Sequence, residues 1–131
     1  APFASTMGDE EEPPPVDPLV VVEEKYAPLI AEKTVEREAI AKTLEALVET
    51  FSAELAQLSD EFQKAKSSGQ TEQQVMLGES ISKLQCSTTV KRDFRKQQLA
   101  DVDLILERFM MAKEREIDKI KKEQEAAAAE E

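Results

Sequence analysis

The large apolar residues Ile40, Leu44, Leu47, Phe51, Leu55, Leu58 and Phe62 recur in steps of four, three, four, four, three and four. A strand alternates with a period of two, so this spacing excludes a sheet and marks one face of an α-helix. Alternating threes and fours form a coiled-coil seam, with one extra step of four, a stutter, between Phe51 and Leu55. Leu29, Ile30 and Val35 continue the apolar content toward Pro28, and no Gly or Pro interrupts the stretch after it. A helix is therefore expected over residues 28–66, with Pro28 in its first turn, where the missing N–H costs nothing.

Ser67-Ser68-Gly69-Gln70 breaks the pattern, and Thr71 with Gln74 three residues later has the form of a capping box. A turn is expected over residues 67–71 and a second helix over residues 72–125. That helix carries Val75, Leu77, Ile81, Leu84, Val90, Phe94, Leu99, Val102, Ile105, Leu106, Phe109, Ile117 and Ile120. Gly78 weakens it locally, by about 1 kcal/mol relative to Ala. Short connections between helices give antiparallel neighbours. Folding the chain about Ser68 and Gly69 pairs residues whose numbers add to roughly 137. Phe62 then faces Val75, Leu55 lies near Ile81 and Phe51 near Leu84. Leu47 and Val48 meet Val90, Leu44 meets Phe94, Val35 meets Val102, and Ile30 meets Leu106.

The expected fold is all-α: an antiparallel two-helix coiled-coil hairpin with a disordered, acidic, proline-rich N-terminal tail and an overhanging C-terminal helix. The tail covers residues 1–27. It holds Asp9-Glu10-Glu11-Glu12, Pro13-Pro14-Pro15 and Pro18, a composition that buries too little surface to offset ordering entropy. Within it, the apolar strip Leu19-Val20-Val21-Val22 either lies extended on a neighbour or begins a helix. Ala1–Thr6 precede Met7-Gly8-Asp9, and read either as a foreign leader or as the mature end left by a removed targeting peptide. Residues 126–131 are a low-complexity end. Residues 112–124 overhang the first helix, with nearly balanced charge and only Ile117 and Ile120 as large apolar members.

Composition agrees with narrow seams rather than a globular core. Charged residues make up 34 %, aromatics 5 %, and there are only 3 Gly in 131 residues, too few large side chains and turns for a compact globule. The net charge of −11 disfavours nucleic acid and anionic membranes, both of which select Lys and Arg. No apolar run approaches the roughly 20 residues of a membrane span. The single cysteine, Cys86, forms no disulfide within the chain, which favours a reducing compartment. The expected location is the cytoplasm, with cytoskeletal association, or the mitochondrial matrix if the N-terminus is a processed end.

No catalytic chemistry is legible. Histidine is absent, which removes the commonest general base and transition-metal ligand. Cys86 has no base of the usual kind to activate it and reads as a small, buried or half-buried helix residue. There is no glycine-rich phosphate loop, and Asp9–Glu12 lack the spacing of a calcium loop. The chain is therefore expected not to be an enzyme and to need no cofactor, metal or small-molecule ligand.

Protein partners are expected instead. Leu58, Met76, Leu104, Met110 and Met111 cannot all face one partner helix. They imply a second apolar stripe for self-association or for another helical subunit. The candidate surface is Leu104, Phe109, Met110, Met111, Ile117 and Ile120, together with Leu19, Val20, Val21 and Val22, unless that strip folds back over the others. Lys91, Arg92, Arg95 and Lys96 form a basic segment opposite Lys42, Glu45 and Glu49. It either pairs across the hairpin or contacts an acidic partner. The expected function is a structural or interaction subunit of a cytoskeletal, axonemal or tethering complex. The alternative is a regulatory or inhibitory protein that docks a helix or its acidic tail on an enzyme.

Overall fold

A computed structural model describes residues 16–130. The expectations for the acidic run, the prolines 13–15 and the extreme N-terminus lie outside these residues. Two helices make up nearly all of the described chain: α1, Pro18–Ser67, and α2, Thr71–Glu130. They pack against each other as an all-α helical hairpin, and no strand occurs among the described residues.

α1 starts ten residues earlier than the apolar spacing suggested. Asp17 is its N-cap: Oδ1 accepts from the Leu19 N–H at 3.0 Å, and the Asp17 carbonyl accepts from Val20 and Val21 at 3.0 and 3.2 Å. Pro18 follows at the first helical position, where its fixed φ suits a helix. Pro28 consequently lies inside α1 rather than at its start. It can donate no backbone hydrogen bond there, and the helix holds on either side of it through Tyr26, which is buried, and Ile30, which is half-buried.

α1 ends in a Schellman turn. Gly69, at φ 71°, is the one described residue in the left-handed region. This lets Gln70 donate to the Ala65 carbonyl at 3.0 Å and Gly69 to that of Lys66 at 3.3 Å. Lys64 and Lys66 occupy the last turn of α1, where positive charge faces the negative end of the helix dipole. The expected capping box does not form. Gln74 donates its backbone N–H to the Gln70 carbonyl at 3.0 Å, and its side-chain amide crosses the turn to the Ala65 carbonyl at 3.3 Å.

The described residues divide into two compact units, 16–30 with 108–130, and 31–107. In the second unit, Ile40, Leu44, Leu47, Phe51, Leu55, Leu58 and Phe62 are half-buried, as the spacing requires for a single face. The matching row on α2 is Leu77, Ile81, Leu84, Thr88, Arg92, Arg95, Gln98 and Val102. The two rows coincide when partner numbers add to 139, which is also the sum for the bonded pair Gln74 and Ala65. The expected register was therefore two residues off. Two residues turn a helix face by about 200°, so Val75, Val90 and Phe94 leave the seam and stand exposed, with Val90 at 69 % and Phe94 at 58 %. On α1, Val35 at 65 % and Val48 are likewise exposed. Leu58, which the spacing puts in the seam but which is also counted among the residues left for a second stripe, is half-buried in the seam.

The packing is thin throughout. Val22, Tyr26, Ala65, Leu77, Thr88 and Val102 are buried, but no large side chain among the described residues is fully buried.

Candidate partner-binding surfaces

The unit of residues 16–30 and 108–130 contains most of the expected surface. Val22 is only 6 % exposed and Leu19 half-buried, whereas Val20 and Val21 are exposed. The strip is thus the first turns of an amphipathic helix and not an extended segment. Ile117 and Ile120, expected on a stretch that overhangs the first helix, are half-buried. Val22 and Ile120 line one groove of 260 Å³ with Glu116, Lys119 and Glu123. Ile30, Met110 and Ile117 line another of 420 Å³ with Glu23, Lys113 and Glu114. Residues 18–30 therefore cover the supposed overhang, and the wholly exposed end of α2 shrinks to residues 121–130.

Two ion pairs tie this unit together. Lys113 Nζ lies 2.8 Å from Glu23 Oε1 and 2.9 Å from its Oε2. Lys25 Nζ donates to Glu116 Oε1 at 2.9 Å and sits 5.1 Å from the centre of the Tyr26 ring. The hydrogen bond to Glu116, then its charge, raises the Lys25 pKa above the ordinary lysine value. The same bond, reinforced by the Tyr26 hydroxyl, lowers that of Glu116 below the ordinary carboxylate value. Met110 and Met111 are exposed beside these pairs, and Phe109 is half-buried. Neighbouring helix positions diverge by about 100°, and Met110, but not Met111, lines the larger groove.

In the unit of residues 31–107, α2 exposes Val75, Met76, Val90, Phe94 and Leu104. Leu104 was among the expected surface residues. Val90 and Phe94 were not, because the sequence reading used them as seam. Their places in the seam are taken by Thr88, Arg92 and Arg95. Arg95 donates from Nη1 to Gln98 Oε1 at 2.9 Å, and its guanidinium lies 5.6 Å from the centre of the Phe94 ring. Such a stack suits arginine, whose long apolar stem packs while its charged head stays near water. Arg92 Nε is buried and has no hydrogen-bond acceptor.

Charge pairing across the hairpin does not absorb the basic segment. The ion pair that crosses between the helices in this unit, among the described residues, is Arg37 with Asp103. Lys33–Glu36 and Lys64–Asp60 both lie within α1, and among the described residues no ion pair uses Lys91, Arg92, Arg95 or Lys96. Cys86, expected to be at least half-buried, is exposed. No cluster of three metal-ligating side chains occurs among the described residues, and no helix there is long and apolar enough to cross a membrane.

No family model, curated protein or solved structure matches the chain.

Proposed function

We propose that this chain is a non-enzymatic structural subunit, a helical hairpin that joins other helical chains by coiled-coil contacts in a cytoskeletal, axonemal or tethering assembly of the cytoplasm. The observation that carries this reading is the imbalance between the two sides of α2. Val75, Met76, Val90, Phe94, Leu104 and Met111 are all exposed, while no large side chain among the described residues is fully buried. A chain that leaves this much apolar surface in water while closing so thin a core gains stability by docking another helix. Methionine suits such a contact, because its flexible, polarizable side chain adapts to a partner.

Purification from the native source, with identification of co-eluting chains, tests the reading. A stable stoichiometric assembly supports it. Condition-dependent, substoichiometric binding to an enzyme supports the regulatory alternative, in which the exposed end of α2, residues 121–130, serves as the docking helix. Elution of the chain alone rejects both.

A further inference from the structure

The exposed pair Val90 and Phe94 lies one helical turn apart on α2, within the most basic stretch of an acidic chain. Residues 83–96 contain five cations, Lys83, Lys91, Arg92, Arg95 and Lys96, against one anion, Asp93. Their net charge is +4, in a protein whose total is −11. None of these cations forms an ion pair among the described residues, and the Nε of Arg92 has no acceptor. Arg95 is spent on Gln98 and on the Phe94 ring, which leaves Phe94 held in place but still 58 % exposed. Of these cations, Arg92 and Arg95 lie in the seam and Lys96 is turned about 200° from Phe94. The exposed Lys83 and Lys91 are the ones that border the apolar pair, and such a patch is electrostatically complementary to an apolar surface flanked by carboxylates. Val90 and Phe94 are i and i+4, about 6 Å apart along the axis, a spacing that fits the i, i+3, i+4 anchors of a second helix.

We propose that the Val90–Phe94 patch, with Lys83 and Lys91, binds an acidic amphipathic helix of a different protein. The inference rests on the subunit reading above and gives that subunit's partner its chemistry. A second copy of this chain is the poorer occupant, because each copy brings a charge of −11 and the copies repel each other. The same overall charge works against a nucleic acid, despite the local cations.

A photo-crosslinking phenylalanine analogue placed at position 94 of the full-length chain, expressed in the source cells, tests the proposal. The expected product joins position 94 to a net-acidic, helical segment of another protein. The double variant Lys83→Glu/Lys91→Glu should lower its yield about tenfold, with helicity unchanged by circular dichroism because both side chains are exposed. Capture of the chain's own copy, capture of nucleic acid, or an undiminished yield in the double variant overturns the proposal. So does a yield no higher than that of the same probe at the exposed Gln57 of α1. If position 94 captures nothing while the chain still co-purifies with stoichiometric partners, the site is wrong and the subunit reading stands. If the chain purifies alone, the subunit reading itself fails.

Discussion

Arg37 of α1 donates from Nε to Oδ1 of Asp103 on α2, and their numbers add to 140, one away from the value at which the buried rows of residues 31–107 coincide. The contact is half-exposed, so it reports the alignment of the helices more than it stabilises them. Cysteines at Ala41 and Gln98, in a Cys86→Ser background, should crosslink within one chain through a short bismaleimide. Cysteines at Val35 and Val102, the pair the apolar pattern alone suggests, should not. Efficient crosslinking of the second pair, read by mass spectrometry, would return the register to 137.

The two valines at the start of α1 should behave oppositely. Val22→Ala removes buried methyl groups and should loosen the unit by about 1–2 kcal/mol. Val21→Ala, at a position 49 % exposed, should cost less than about 0.5 kcal/mol. Amide hydrogen exchange across residues 18–30 measures the difference. Equal effects would mean that this helix start is not packed against α2.

The two described glycines, one in the turn and one in α2, also separate. A Cβ at Gly78 meets nothing within 4 Å, and its backbone is ordinary helix. Gly78→Ala should therefore raise stability by about 0.5–1 kcal/mol. Gly69→Ala has equal space but a φ of 71°, and should destabilise by about 1 kcal/mol. Paired thermal melts followed by circular dichroism decide this; stabilisation by Gly69→Ala would show that the turn is not left-handed.

Acid should weaken the unit that contains Glu116. Its folded-state pKa is depressed, first by the hydrogen bond from Lys25, so the pair's contribution is fully present above the unfolded carboxylate value and is lost as pH falls through the lower, folded one. The raised pKa of Lys25 gives the mirror image: its contribution is complete below the unfolded lysine value and disappears as pH rises through the higher, folded one. Across neutral pH the pair is constant. Glu116→Gln should flatten the acid limb of the melting temperature plotted against pH, and an unchanged limb would mean that other carboxylates govern it.

The helical hairpin was legible because the row from Ile40 to Phe62 follows the helical period for seven residues without a break. The register was not, because the largest apolar side chains of α2 do not mark its packed face. Leu84 to Val90 is six residues and Phe94 to Leu99 is five, neither a helical step on one face. From Leu84 the steps of three and four run through Thr88, Arg92, Arg95, Gln98 and Val102, which is the observed row. An arginine can occupy such a position because its aliphatic stem covers a neighbour while the guanidinium reaches water. The start of α1 was also written in the sequence, since Asp17 followed by Pro18 is an N-cap and a first-turn proline. Pro28 competed for that role, and only the burial of Val22 and Tyr26 explains why the helix continues through it. The exposed Val90–Phe94 pair became visible as a surface only once the register had moved.

The whole reversal of direction between α1 and α2 passes through the backbone of Gly69, the one described residue at positive φ. Rotating that dihedral into the right-handed region would remove the turn's bonds to Ala65 and Lys66, so the stop of one helix and the entry to the next both depend on a residue that carries no side chain at all.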